Sequence, residues 1–227
     1  MQDLRKHEQF ELAVLDKLNS GRFLNDFVFA GGTMLRLCHG LDRYSVDLDF
    51  WTIGRIDSSV IFNNLKNYLS GVYELKDAKN KHFTMLFELK AAGYPRALKV
   101  EIRKELKKLK TEKSIAYSAH SNMQVLLNTL PLSAMMQAKV EAFIDRCEIR
   151  DVYDIEFMFK RGVKLQAEPE ILGKLLKGIE KFSLTDYSVK LGSLLEPDKR
   201  KYYRAENFKI LKLHIKSLLS DAPGGAR

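Results

Sequence analysis

The sequence predicts an α+β fold in which a mixed β-sheet flanked by helices is followed by a helical C-terminal region. Short segments with the apolar patterns of β-strands occur only between residues 26 and 103. From Leu132 onward, the apolar residues recur at helical spacing instead. We therefore place a boundary within residues 113–122, with a core over residues 1–115 and a helical region over residues 116–227.

The first elements are a helix, a strand and a second helix. Apolar residues from Leu4 to Leu18 keep helical spacing, and the run at 19–21 (Asn-Ser-Gly) indicates where this amphipathic helix ends. Residues 26–31 are typical of a buried strand that leads into a pair of glycines. A short helix is expected next, ending near Gly40. This helix therefore starts directly after a glycine turn.

The segment 45–53 alternates between polar and apolar residues, as a half-buried strand does. The apolar set is Val46, Leu48 and Phe50, and the polar set is Ser45, Asp47 and Asp49. Burial of the apolar face leaves the two aspartates side by side on the other face.

The remaining elements follow from the same signals. We expect a helix over 58–69, strands over 72–75, 83–89 and 98–103, and helix breaks near 161–162, 168–169 and 196–197. These strands bring the predicted total to five, with none after residue 103. The final segment "DAPGGAR" is predicted to be disordered.

The composition favours a polyanionic partner. The chain has 227 residues, a formal charge of +9 and a pI near 9.4, which suits nucleic acid or nucleotide phosphates but also fits non-specific attraction. Neither a signal sequence nor an apolar run of bilayer length is present, so we expect a cytoplasmic protein and no membrane partner. Cys38 and Cys147 lack the spacing of a zinc site or a disulfide framework, and we expect both to be buried, reduced thiols.

The paired aspartates predict a magnesium or manganese site. Metal-dependent phosphoryl transfer uses a few carboxylates to hold the ions that bind the triphosphate. Asp47 and Asp49 fit this need, and Glu101 on the strand at 98–103 is the candidate third ligand. Lys99 shares the face of Glu101, and we expect it to contact substrate. A DxD pair can equally be the solvated polar face of a strand.

The glycine turn predicts a phosphate-binding site. Gly31, Gly32 and Thr33 stand at the start of a helix, where backbone N–H groups and the helix dipole favour an anion. The threonine hydroxyl can donate one more hydrogen bond. The order of this turn and the two aspartates is more specific than either motif alone.

These motifs together resemble the signature of the AbiEii/AbiGii toxin family, which lies within the polymerase-beta-like nucleotidyltransferase superfamily. The similarity covers residues 27–160 and includes a strand motif at 99–101, a helical lysine and an RDxxD motif at 150–154. The matching residues of the first motif are Gly31, Gly32, Thr33, Leu35, Arg43, Ser45, Asp47, Leu48, Asp49 and Phe50. One departure is Glu101, which stands where the family usually has aspartate.

The resemblance implies further site residues. Lys139 would be a ligand of the nucleotide phosphates, and Asp151 would orient it through a charge-assisted hydrogen bond. Arg43 and Ser45 would contact phosphate, although a loop arginine is ordinarily a surface charge. The cluster of Arg150, Asp151 and Asp154 can also be read as charges at a helix start.

The resemblance also implies a nucleotidyltransferase fold and a toxin of a toxin–antitoxin or abortive-infection system. Such an enzyme would use a nucleoside triphosphate (NTP) as substrate and transfer its nucleoside monophosphate (NMP) to an acceptor hydroxyl, for which we expect the 3′ end of tRNA. The helical region would contribute to the active-site cleft, and a cognate antitoxin is an expected partner. The basic clusters at 103–110 and 197–204 suit an RNA backbone, but a solvated helix face is the better explanation of each cluster taken alone.

Two alternatives remain open from the sequence. One is transfer of a nucleotide to a protein or small-molecule hydroxyl, which the same carboxylates would support. The other is a nucleotide-binding or RNA-binding module without catalysis.

Overall fold

A computed structural model describes residues 1–54, 56–104 and 110–221. The chain forms two compact units, Met1–Pro131 and Leu132–Arg227. Most of the predicted disordered tail and the centre of the basic cluster at 103–110 lie outside the described residues. Within the described part of the chain, no helix combines the length and the apolar character needed to cross a membrane.

Over its described residues, the first unit contains a seven-stranded mixed sheet and three α-helices. In chain order its described elements are α1 (Gln2–Ser20), a 3-10 turn (Phe23–Asn25), β1 (Phe27–Ala30), α2 (Gly31–His39), β2 (Asp47–Thr52), α3 (Ser58–Ser70), β3 (Glu74–Asn80), β4 (Thr84–Lys90), β5 (Leu98–Arg103), β6 (Glu112–Tyr117) and β7 (Gln124–Thr129). The helices and the first five strands confirm the predicted elements, and the α+β fold class is confirmed with them.

The strand order β3-β4-β5-β2-β1-β7-β6 places β2 in the middle of the sheet. β2 pairs with β1 in antiparallel and with β5 in parallel orientation. β1 is buried along its whole length, and the apolar faces of β2, β4 and β5 are buried as well. The polar residues of β2 therefore lie on the opposite face of a rigid central strand.

The prediction that strands end at residue 103 was wrong, because β6 and β7 follow as an antiparallel hairpin. β6 forms the edge of the sheet, and its Ile115 and Tyr117 are exposed, so the strand lacks the alternation of a half-buried one. β7 carries a short apolar run that periodicity alone does not distinguish from a helix. This hairpin explains why the first unit extends to Pro131 rather than to residue 115.

The second unit is helical. Its elements are α4 (Leu132–Arg146), α5 (Ile149–Lys160), α6 (Pro169–Glu180), a π-helical turn (Asp186–Leu191), a 3-10 turn (Gly192–Leu194), α7 (Pro197–Glu206) and α8 (Lys209–Ser220). The predicted breaks are confirmed, and Pro169 and Pro197 each stand in the first helical turn, where a missing N–H costs nothing. Cys147 directly follows α4 and is exposed, so the prediction that it is buried was wrong.

Candidate active site

Four predicted site residues lie on two neighbouring strands. The parallel register of β2 and β5 sets Asp47 beside Lys99 and Asp49 beside Glu101. Asp47, Asp49 and Glu101 are partly exposed, whereas the residues between them point into the core. Because side chains alternate along a strand, the two aspartates share one face. The structure therefore brings the three predicted carboxylates onto one surface of the sheet.

The donor set of this surface suits a hard divalent cation. Carboxylate oxygens are the ligands that Mg²⁺ prefers, and it is usually held by one or two carboxylates together with water and substrate phosphates. Among residues 1–54, 56–104 and 110–221, no three His, Cys, Asp or Glu side chains are grouped closely enough to hold an ion by themselves. The arrangement thus fits an ion that shares its coordination with a substrate, and it does not form a closed protein cage.

Gly31 connects the β1–α2 turn to this carboxylate surface. Its φ of +78° lies in the left-handed region, which residues other than glycine rarely adopt. A Cβ atom at this position would lie 2.4 Å from Oδ2 of Asp49. A glycine is required here for both reasons, and the Asp49 carboxylate packs directly against the start of α2. The N-cap residue of this helix is Ala30, whose own side chain makes no capping hydrogen bond.

Gly32 makes room for two further predicted residues. A Cβ atom on Gly32 would lie 2.4 Å from Nη2 of Arg43 and 2.8 Å from Oγ of Ser45. Arg43 is only 3% exposed, and its Nη1 donates a hydrogen bond to the Tyr44 carbonyl at 3.0 Å. Arg43 is therefore not an ordinary surface charge. The structure places a guanidinium and a hydroxyl beside the N-terminus of α2.

Thr33 differs from its predicted role. Its side chain is fully buried, and Oγ1 donates a hydrogen bond to the backbone carbonyl of Asp47 at 2.5 Å. A hydroxyl has one proton to donate, so this bond uses the donor that the sequence reasoning assigned to a phosphate. Thr33 instead fixes the first residue of β2. Only its backbone N–H remains for the predicted anion site.

The loop between α2 and β2 is held by residues that sequence reasoning missed. Arg36 donates to the Leu41 carbonyl at 3.1 Å, and its guanidinium lies 3.8 Å from the centre of the Tyr44 ring. His7 of α1 is hydrogen-bonded through Nε2 to the Val46 carbonyl at 2.9 Å. A signal was present in the sequence, because His7 lies among the apolar positions of α1 where a polar residue needs a partner.

The second unit holds a buried ionic cluster. Nζ of Lys139 on α4 lies 3.0 Å from Oδ1 of Asp151 and 2.7 Å from Oδ2 of Asp154, both on α5. Lys139 is 6% exposed, and both aspartates are fully buried. Arg146 donates to both oxygens of Asp151, at 2.8 and 2.7 Å. The predicted hydrogen bond between Asp151 and Lys139 is present in the structure.

The charge of Asp151 is maintained despite its burial. Burial by itself would raise the pKa of this carboxyl, but the hydrogen bonds from Arg146 and the positive charge of Lys139 outweigh it and lower the pKa. Asp154 also faces Lys139, which argues against a simple cluster of solvated charges at a helix start. The cluster therefore holds the buried Lys139 side chain in a fixed orientation between two carboxylates.

Comparison with known proteins identifies the family. Residues 13–221 match the family model described as nucleotidyl transferase AbiEii toxin, type IV toxin–antitoxin system. No curated protein matches the chain.

Two crystal structures share the fold. JHP933 from Helicobacter pylori is 17% identical with a TM-score of 0.56, and the match covers 96% of this chain and 95% of that one. A candidate nucleotidyltransferase from H. pylori is 18% identical with a TM-score of 0.57, covering 93% and 96% of the two chains. At these identities the likeness shows the fold, while the family match spans most of the chain and confirms the resemblance seen in the motifs. The chain therefore belongs to the AbiEii family of nucleotidyltransferase toxins, and nucleotidyl transfer is its class of reaction.

Proposed function

We propose that this protein is a metal-dependent toxin that transfers an NMP from an NTP to the 3′ end of tRNA. The observation that carries the proposal is the packing of the Asp49 carboxylate against Gly31, with Asp47 on the same face and Glu101 on the adjacent strand. This arrangement supports the proposal because it sets carboxylate oxygens, which Mg²⁺ prefers as ligands, beside a helix N-terminus that favours phosphate.

The triphosphate binds at the start of α2 in this proposal. The backbone N–H groups of Gly31, Gly32 and Thr33 supply hydrogen bonds, and the helix dipole adds a partial positive charge. Arg43 and Ser45 stand beside Gly32 and provide a cation and a hydroxyl for the same phosphate oxygens. Lys99 is exposed next to Asp47 and contacts the substrate from β5.

Asp47 and Asp49 would hold Mg²⁺ or Mn²⁺, and Glu101 would complete the ligand set or accept the proton of the attacking hydroxyl. A bound divalent ion at this place neutralises phosphate charge and lowers the pKa of the acceptor hydroxyl. The protein's own part is to hold the α-phosphate in line with that hydroxyl, so that a P–O bond to the acceptor forms while the bond to pyrophosphate breaks. Glutamate reaches one methylene further than the usual aspartate of the family, so its carboxylate stands farther from β5.

Lys139 is proposed as a further ligand of the nucleotide phosphates. Its ammonium group has three N–H donors, and the carboxylates of Asp151 and Asp154 accept two of them. The third can be donated to a phosphate oxygen. Asp151 keeps the lysine oriented, and Arg146 keeps Asp151 charged.

RNA is the acceptor that the charge of the chain favours. The formal charge of +9 attracts a polyanion, and α7 presents exposed basic residues together with Tyr202, which is 41% exposed. A phosphate backbone and an unstacked base could use such a surface. A cognate antitoxin, as the type IV family implies, and a cytoplasmic location are part of the same proposal.

The proposal is tested by incubating the protein with Mg²⁺, each α-labelled NTP in turn and total cellular RNA, followed by a denaturing gel. Asp47→Asn removes a charged ligand while it preserves shape, and Asp77→Asn is the matched control because Asp77 forms a surface ion pair with Lys79 on β3. We expect labelled bands of tRNA size with the wild type and Asp77→Asn, and none with Asp47→Asn.

Other outcomes would refute parts of the proposal. Label in protein or in a small molecule would move the acceptor to another class. Absence of label from every fraction, together with a cellular effect that survives Asp47→Asn, would favour a binding module without catalysis.

A further inference from the structure

The helix α1 buries three ionisable side chains against the rest of the first unit. His7, Glu8 and Glu11 are 1%, 4% and 0% exposed. Burial of such groups is costly unless each has a partner, so a helix whose only role is to cover a sheet would carry apolar residues here. Glu8 has partners, because it accepts hydrogen bonds from Arg36 and Ser118. The other two need a separate explanation.

The protonation of His7 follows from its contact with Val46. A carbonyl oxygen only accepts, so Nε2 must carry the hydrogen of the 2.9 Å bond to Val46 O. In the neutral ring, Nδ1 is then an acceptor, and it is buried without a hydrogen-bond partner among the described residues. Burial lowers the pKa of His7 and thereby favours this neutral ring.

Glu11 lies one helical turn after His7 on α1 and next to its ring. Its Oε1 lies 3.7 Å from Nε2 of His7, and neither carboxyl oxygen has a hydrogen-bond partner in the part of the chain that the structure describes. Burial and the neighbouring charge of Glu8 raise the pKa of Glu11 well above its ordinary value. The raised pKa favours an uncharged Glu11 carboxyl beside the His7 ring.

The contact with Val46 has a counterpart on the other side of Asp47. The Val46 carbonyl precedes the Cα atom of Asp47 and is bonded to His7, whereas the Asp47 carbonyl follows it and accepts from Thr33. Both peptide groups that flank this Cα are therefore fixed by buried side chains from two different helices. The direction in which the Asp47 side chain leaves β2 depends on these two peptide planes.

We propose that His7 is a positioning residue that fixes the backbone at Asp47 and so aims its carboxylate at the metal site. The inference rests on the proposed function, because it takes Asp47 as a metal ligand. His7 touches neither the ion nor the substrate, and it acts through the peptide group between Val46 and Asp47. Replacement of a residue that orients a metal ligand in this way typically lowers the metal affinity by about 10- to 100-fold.

Two substitutions of equal polarity separate positioning from simple packing. The amide nitrogen of glutamine can take the place of Nε2 and donate to Val46 O, whereas asparagine is one methylene shorter and falls short of that carbonyl. Both variants put an amide into the same buried site. His7→Gln should therefore preserve the positioning contact, and His7→Asn should remove it.

The readout is Tb³⁺ luminescence excited through tryptophan. Trp51 is the only tryptophan of the chain and lies on the same face of β2 as Asp47 and Asp49, so it can sensitise an ion bound there. Purified full-length protein is titrated with Tb³⁺, and Mn²⁺ competition gives the affinity for a divalent ion. We expect about a tenfold loss of affinity in His7→Asn and less than about a twofold change in His7→Gln.

Several results would overturn the proposal. Folded His7→Asn with wild-type affinity would show that the bond to Val46 does not aim the carboxylate, and a tenfold loss in His7→Gln would show that a donor at this point is not what matters. Should His7→Asn fail to fold, the result for His7→Gln decides by itself. Asp47→Asn distinguishes a failure of the proposed metal site from a failure of the role of His7. Unchanged Tb³⁺ affinity in Asp47→Asn would refute the metal site itself.

Discussion

Replacement of Gly31 by alanine tests the link between the α2 turn and the carboxylates that are proposed to bind the metal ion. The φ of +78° costs an L-residue about 1–2 kcal/mol. The new Cβ would also lie 2.4 Å from Oδ2 of Asp49, whereas Cβ contacts below 3.0 Å essentially never occur. The carboxylate or the turn must therefore move by about 0.6 Å (3.0 minus 2.4). A displacement of about 1 Å at a reacting group can cost about 100-fold in rate. We therefore expect a loss of activity of about 10- to 100-fold.

Gly54→Ala is the matched control for this experiment. Gly54 has a φ of +77°, and a Cβ there would meet no atom of the described residues within 4 Å. Both variants should lower the unfolding midpoint by about 2–8 °C, since about 1–2 kcal/mol corresponds to about 2–4 °C per kcal/mol in a chain of this size. Thermal unfolding followed by circular dichroism measures this shift, and labelled NMP transfer measures activity. Equal activity of the two variants would refute the argument that Asp49 must pack against Gly31.

Three further predictions concern other parts of the two units. Glu101→Asp should keep most of the NMP transfer rate, whereas Glu101→Gln should lower that rate by about 100-fold or more, because only aspartate keeps a charged ligand or base at this position. Equal rates of the two variants would exclude both roles for Glu101. Glu11→Gln should raise the unfolding midpoint more at pH 8 than at pH 5. The folded state holds a proton on Glu11 that the unfolded carboxyl releases above its ordinary pKa of 4.5, so wild-type stability falls as the pH rises from that value through the raised folded pKa. The groups facing this carboxyl are His7, Glu8, Arg36 and Asp47. A midpoint difference that does not change with pH would contradict a neutral Glu11. Asp151→Asn should lower the free energy of unfolding by about 3 kcal/mol, because it removes a charged partner of buried Lys139. Urea titrations measure this change. A loss below about 1 kcal/mol would show that Asp154 alone is a sufficient partner for Lys139.

The lysine cluster of the second unit has a stability consequence at low pH. The pKa of Asp151 is lowered in the folded state, so its contribution to stability is present above the ordinary carboxyl pKa of 3.8 and is lost as the pH falls through the folded value. Asp151→Asn should therefore differ least from the wild type in acid. The comparison of unfolding midpoints between pH 7 and pH 2 checks the sign, and a constant difference would argue against ionised Asp151.

The local pattern of the sequence determined the strand that carries the metal-binding candidates. Alternation along β2 depends only on which residues are apolar, so the shared face of Asp47 and Asp49 was predictable. Helix boundaries were similarly predictable where proline fixes them, as at Pro169 and Pro197. The family was indicated by the glycine turn and the aspartates in their order, together with the strand motif at 99–101, the helical lysine and the motif at 150–154.

The edge hairpin and the support of the site were decided by tertiary structure. β6 has one neighbour in the sheet and an exposed outer face, so burial imposes no strong pattern on its residues. The bond between His7 and Val46 joins residues that are 39 positions apart, and the bond between Thr33 and Asp47 spans 14 positions. Periodicity reports which face of an element is buried, but the atom that a buried polar group meets depends on how the elements pack. The sequence by itself therefore determined the carboxylates and the glycine turn, whereas packing decided that Thr33 holds β2 and that α1 supports Asp47.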